Sequence, residues 1–192
     1  MAQLPPYPSR LGFFQPFMAR QHETLVLKEK AMSLSGDSFD IMLASGQPLF
    51  RIQGESFSLS NRQHFCDMSG NELFAIRKKH LALHSTYYGE DPNGNVLFEV
   101  RSKFNIGGSK MICTFQDKTL IVQGNFFGTN AEITDEATKQ PVAVIDRKML
   151  NAREFFTGQD SYAVTVAPNV DMALVAAMCI CMDNKKEEAQ GA

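Results

Sequence analysis

Tryptophan is missing from this chain, and histidine is scarce, with four among 192 residues. Aromatic content is carried by 15 phenylalanines, which suits a packed core better than a cleft that stacks sugars. Neither charge sign dominates: 19 basic against 21 acidic residues leave a net charge of −2 and a pI near 6.1. That balance argues against a general nucleic-acid binder, whose footprint is strongly basic. The four cysteines, Cys66, Cys113, Cys179 and Cys181, show neither a zinc-ribbon spacing nor a CxxC pair. They read as reduced, buried thiols and point to a reducing compartment. There is no HExxH, nucleophile elbow, P-loop or GxGxxG. His80 and His84 are four apart, but Leu81, Leu83, Thr86, Tyr87 and Tyr88 around them favour a strand, on which i and i+4 lie far apart. Neither an enzyme nor a cofactor is therefore expected. No basic segment leads into an apolar one at the N-terminus, so no signal peptide is expected and the cytoplasm is the expected location.

Long apolar runs are rare too, with one exception. Residues 172–182, MALVAAMCICM, are eleven apolar residues in a row between Asp171 and Asp183. Ala, Leu and Met favour helix, and a helix apolar all round must be enclosed by protein or lipid. Spanning a bilayer takes about 20 apolar residues, so enclosure by protein is the better reading and no transmembrane span is expected. Most of the preceding chain reads as strands. A helix surrounded by strands suggests a β-barrel threaded by its own C-terminus.

The middle of the chain repeats with a period of 24: GQPLFRI from Gly46, GNELFAI from Gly70 and GNVLFEV from Gly94. Each unit is a turn followed by a strand of period two. Phe50 and Ile52, Phe74 and Ile76, and Phe98 and Val100 are expected to face inward. The opposite face carries Arg51, Gln53 and Glu55, then Ala75, Arg77 and Lys79, then Glu99, Arg101 and Lys103. A looser fourth unit begins at Asp135 and runs into Val142 and Ile145. Further strand-like runs at residues 56–60, 81–88, 111–116 and 119–124 make an antiparallel meander the better fit than a solenoid, and closing the sheet removes its edges. Residues 1–20, rich in proline, read as an arm outside the core. Residues 21–184 are expected to form the barrel domain, with its helix at about 170–183, and residues 185–192 a polar, frayed tail.

The order of these motifs resembles the LURP-one-related family. It runs from the Gly-x-x-Leu-Phe hairpins through Val122-Gln123-Gly124 and Ile133-Thr134-Asp135 to residues 142–145. Then come Gly158, Asp160, Tyr162, Val164, Val166 and Pro168 at alternate positions, Asp171 and the apolar helix. The resemblance covers residues 20–184. It implies a fold like the Tubby C-terminal domain and the phospholipid scramblases: a mostly β, closed antiparallel barrel of about twelve strands around a hydrophobic C-terminal helix. Tubby domains bind phosphoinositide head groups and scramblases are linked to lipid movement, but the fold alone does not fix an activity. The resemblance to scramblases also raises calcium at Asp160 and Asp171. Against it, Tyr162 stands where a further acid is needed, and calcium takes six to eight oxygens.

Arg77 and Arg101, and Lys79 and Lys103, are 24 apart. In repeat register, two strands carry the same Arg-x-Lys pair on one outer face, with Lys78, His80 and Lys110 nearby. Fixed cations of this kind suit a phosphorylated head group, although a solvated strand face also carries charge. A second basic cluster, Arg147, Lys148 and Arg153, lies beside Phe155 and Phe156. The expected function is a non-enzymatic binding module that tethers to anionic phospholipid or phosphoinositide, peripheral at a membrane. The alternatives are a scaffold gripping a protein partner through residues 11–17 and, further off, scramblase-like lipid transfer.

Overall fold

The computed structural model describes residues 4–28, 38–54, 62–105, 108–124, 130–146 and 161–190. Within them lie twelve strands: β1 (Glu23–Lys28), β2 (Phe39–Leu43), β3 (Pro48–Gly54), β4 (Gln63–Asp67), β5 (Glu72–Lys78), β6 (Thr86–Glu90), β7 (Val96–Asn105), β8 (Gly108–Phe115), β9 (Lys118–Gly124), β10 (Asn130–Asp135), β11 (Pro141–Asp146) and β12 (Ser161–Val166). Every strand pairs antiparallel with its sequence neighbour, and β1 pairs with β12 to close the barrel. The helix α1 (Met172–Gln190) follows.

The repeat is a hairpin repeat. Gly46, Gly70 and Gly94 each turn the chain at a positive φ of 85–88°, where glycine carries no Cβ penalty. In the second and third units an aspartate holds the turn from within. The Asp67 carboxylate accepts from the Ser69 and Asn71 N–H groups and from the Asn71 amide. Asp91 does the same with Asn93 and Asn95. These bonds hold both carboxyls below their ordinary pKa.

The faces fall as the period of two requires. Phe50, Ile52, Phe74, Ile76, Phe98 and Val100 are all buried in the core. Successive units do not align residue for residue, however. Ile52 faces Phe65, which faces Phe74 rather than the repeat-equivalent Ile76. Likewise Ile76 faces Gly89, which faces Phe98 rather than Val100. Each hairpin thus slips by two residues, the stagger a closed barrel needs. Gly89 also makes room for its neighbour, since a Cβ there would sit 2.2 Å from the Phe98 ring.

The helix fills the barrel. Residues 172–183 are buried without exception, as an all-round apolar helix requires. Asp171 caps it, its Oδ1 accepting from the Ala173 N–H at 2.9 Å. The helix does not stop near residue 183, and the chain expected to be a frayed tail continues it to Gln190. Polar bonds to the barrel mouth hold this last stretch, a signal that helix periodicity alone does not carry.

The N-terminal segment is likewise not a free arm. Leu4, Tyr7, Leu11 and Ala19 belong to the core. Backbone bonds stitch the segment to the β12–α1 corner: Tyr7 N–H to Pro168, Leu11 N–H to Asn169, Asp171 N–H to Leu11 and Ala19 N–H to Val170. Phe14 stacks on Phe74, while Phe13 and Phe17 meet Phe115 and Phe50 edge to face, with centroids 5.8, 5.4 and 4.9 Å apart. Beyond a short 3-10 helix at Gln15–Phe17 that carries Pro16, this segment forms no helix or strand of its own among the described residues, but its apolar side chains close the end of the barrel where the helix begins. The four cysteines are buried thiols outside any disulfide, and burial pushes the Cys113 and Cys181 thiols far up.

Candidate functional site

The basic face lies where β5, β6, β7 and β8 run side by side. The two-residue slip rearranges the residues expected there. Arg77 lies across from Tyr88, and Tyr88 across from Glu99. Lys79, just beyond β5, donates its N–H to the Thr86 carbonyl, and Thr86 faces Arg101. The two Arg-x-Lys pairs therefore share a face but not a row: Lys79, not Arg77, is level with Arg101.

Acids are interleaved with these bases. Arg77 Nη1 sits 3.4 Å from Glu90 Oε1. Glu99 takes Lys79 Nζ at 3.3 Å on one oxygen and Arg101 Nε at 3.4 Å on the other. Lys103 is placed differently: its cross-strand neighbour is Lys110. Both side chains lie on the outer face, because the next pair along, Ser102 and Met111, is buried. Like charges directly opposite on a ladder repel, so this pair is suited to a bound anion. Lys79, Arg101 and Lys103 are exposed and Arg77 half-buried.

Sequence reasoning missed the polar cluster at the adjacent barrel mouth, where α1 emerges. Glu188 accepts from Tyr87 and Ser85 and pairs with Lys78 at 2.8 Å. Lys185 Nζ donates to Ser85 Oγ at 3.1 Å, Tyr162 donates to the Asp183 carboxylate at 2.6 Å, and Asn184 bonds Gln63. Burial pushes the Glu188 carboxyl up, but its bonds to Lys78, Tyr87 and Ser85 outweigh that and hold it below its ordinary pKa. The spacing of Lys185 and Glu188 after an apolar helix was the available signal, but a charged C-terminus reads as solvated by default.

Residues 81–85, expected as part of a strand, are not one. β6 starts at Thr86, and residues 79–85 form a loop closed by the Lys79–Thr86 backbone bond. His80 and His84 are exposed on it. The other histidines are occupied structurally: His22 Nε2 lies 2.6 Å from the Leu4 carbonyl, and His64 Nδ1 2.9 Å from Glu72.

Of the two calcium candidates, Asp160 lies outside the described residues. Asp171 is buried, and its oxygens are taken by N–H donors: Phe13 and Phe14 on Oδ2 and Ala173 on Oδ1, all at 2.9 Å. Burial raises its pKa to about 6, against the pull of those bonds. Among the described residues no three metal-ligating side chains gather. Arg147, Lys148, Arg153, Phe155 and Phe156 also lie outside the described residues. Among those described, no helix is long and apolar enough to cross a membrane.

The LURP-one-related family model matches residues 23–183, from the first strand to the end of the buried part of the helix. Among solved structures, the chain is similar to the X-ray structure of a protein from Arabidopsis thaliana. The TM-score is 0.65 at 19% identity, over 89% of this chain and 95% of that one. At that identity the likeness speaks for the fold alone. No curated protein sequence matches the chain. The family match spans most of the sequence, and the chain belongs to the LURP-one-related family.

Proposed function

We propose that this LURP-one-related barrel is a non-enzymatic binding module that attaches reversibly to anionic phospholipid or phosphoinositide through the face bearing Arg77, Lys79, Arg101 and Lys103. The observation that carries the reading is the Lys103–Lys110 pair, two cations set opposite each other on the outer face, Lys103 exposed and Lys110 half-buried. Arg101 extends the pair along β7. A phosphate between these side chains relieves the repulsion and gains charge-assisted bonds. Lys and Arg near an anionic membrane each contribute about 1 kcal/mol, and Glu90 and Glu99 beside this face reduce that sum. The interaction is therefore weak, reversible and sensitive to salt, as befits a peripheral protein.

A protein partner gripped by residues 11–17 is less well supported, because Phe13, Phe14 and Phe17 pack against the core. The test is vesicle co-sedimentation at low and physiological salt, with and without phosphoinositide, beside a variant with Arg77, Lys79, Arg101 and Lys103 all changed to Gln. Anionic-lipid-dependent sedimentation that disappears in the variant supports the reading. Equal sedimentation of the two proteins, or none of either, overturns it.

A further inference from the structure

Leu81 and Leu83 are the most exposed large apolar side chains among the described residues, at 101% and 94% of their reference area. One exposed leucine is ordinary. Two fully exposed at the tip of one short loop, i and i+2, are different, because the loop sits at the edge of the basic face. Lys79 opens it, 58% exposed. Ser85 at its end accepts from the Ser102 N–H at 3.0 Å, so the loop leaves the sheet beside Lys103 and its partner Lys110. His80 and His84 flank the leucines.

We propose that residues 79–85 are a membrane-insertion loop: Leu81 and Leu83 enter the acyl region of an anionic bilayer while Lys79, Arg101, Lys103 and Lys110 meet its headgroups. This rests on the basic-face reading and adds an apolar component to it. A soluble anion satisfies the cations alone, whereas only a lipid surface satisfies both features. The arrangement is that of an interfacial anchor, apolar tip and cationic collar. The collar supplies long-range, salt-sensitive attraction, and the tip supplies binding that salt does not screen. The loop is braced for this. The Lys79–Thr86 backbone bond closes it, and Ser85 at its base is held by Glu188 and Lys185 of the helix.

The chain has no tryptophan, so a single introduced indole reports without background. The experiment compares Leu83→Trp with Val96→Trp, whose position is 60% exposed beside the hairpin turn at Gly94, at the opposite barrel end. Both are titrated with phosphatidylcholine vesicles, with and without phosphatidylserine, and with acyl chains brominated or plain. The expected result is a blue shift and bromine quenching for Leu83→Trp on phosphatidylserine vesicles, with no change for Val96→Trp. Changing Leu81 and Leu83 together to Ala should lower vesicle affinity about tenfold or more, with thermal stability unchanged. Sedimentation without a blue shift or quenching overturns insertion and leaves the basic-face tether standing. Failure to sediment with anionic vesicles overturns both.

Discussion

The Tyr7 hydroxyl donates to the buried carboxylate of Asp135, a residue 128 positions further along the chain. Asp135 also accepts from the Ala137 and Thr138 N–H groups in the turn between β10 and β11. Burial raises its pKa, but these three bonds outweigh that and hold it below its ordinary value. Burial and the same carboxylate push Tyr7 up to about 12. The N-terminal segment is thereby tied to a turn on the far side of the sequence.

Tyr7→Phe removes the donor and leaves a buried carboxylate oxygen without it. A loss of about 1–3 kcal/mol is expected, read as a lower urea midpoint with an unchanged slope. Removing residues 1–18 should cost far more, because it uncovers the Phe50, Phe74 and Phe115 rings and takes the Phe13 and Phe14 donors from Asp171. A truncated chain that unfolds at the wild-type midpoint would show that the segment is not part of the core.

Asp171 titrates in the opposite sense to Asp135. Its folded pKa of about 6 lies above the ordinary carboxyl value, so between about pH 4 and 6 the folded chain holds a proton that the unfolded chain has released. Its contribution is greatest below that window and falls as pH rises through it, by about 2–3 kcal/mol. Asp135, held low, contributes above the ordinary value and loses that contribution in acid. Asp171→Asn should therefore gain stability relative to wild type as pH rises from 4 to 6, which paired urea titrations across that range would read. A constant gap between the two proteins would refute the shift.

Ala176 and Ala177 are fully buried in α1. Changing either to Asp places a charge with no partner inside the barrel, a cost on the order of the whole folding free energy. Circular dichroism and soluble yield should show an unfolded chain. A cooperative, native-like melt for both variants would sink the threaded-helix architecture.

At Gly89 a methyl group would overlap the Phe98 ring. Gly89→Ala should destabilise by about 1–3 kcal/mol, and Phe98→Leu in the same chain should recover part of that. A double variant no better than the sum of the singles would mean that the strain lies elsewhere.

Much of the fold was legible because it is written locally. The glycine turns, the period of two in β3, β5 and β7, and the apolar run of α1 each need only neighbouring residues to be read. The basic residues were legible as types but not in arrangement. Arg77 and Arg101 look equivalent along the chain, yet barrel stagger sets Arg77 in line with Glu99 and Lys79 level with Arg101. The Lys103–Lys110 pair appears only when β7 meets β8. Leu81 and Leu83 read as strand residues from composition, and no local rule says that they stand in water.

The barrel, its hairpin order and its threaded helix are written along the chain, because alternation and an unbroken apolar run can be buried in few other ways. Tertiary structure decided the rest: that residues 4–19 close the barrel, that Asp171 serves backbone donors, and that Glu188 gathers Lys78, Ser85 and Tyr87. These are contacts between residues as many as 162 positions apart. Their formation depends on the closure and stagger of the whole sheet, which no short stretch of chain encodes.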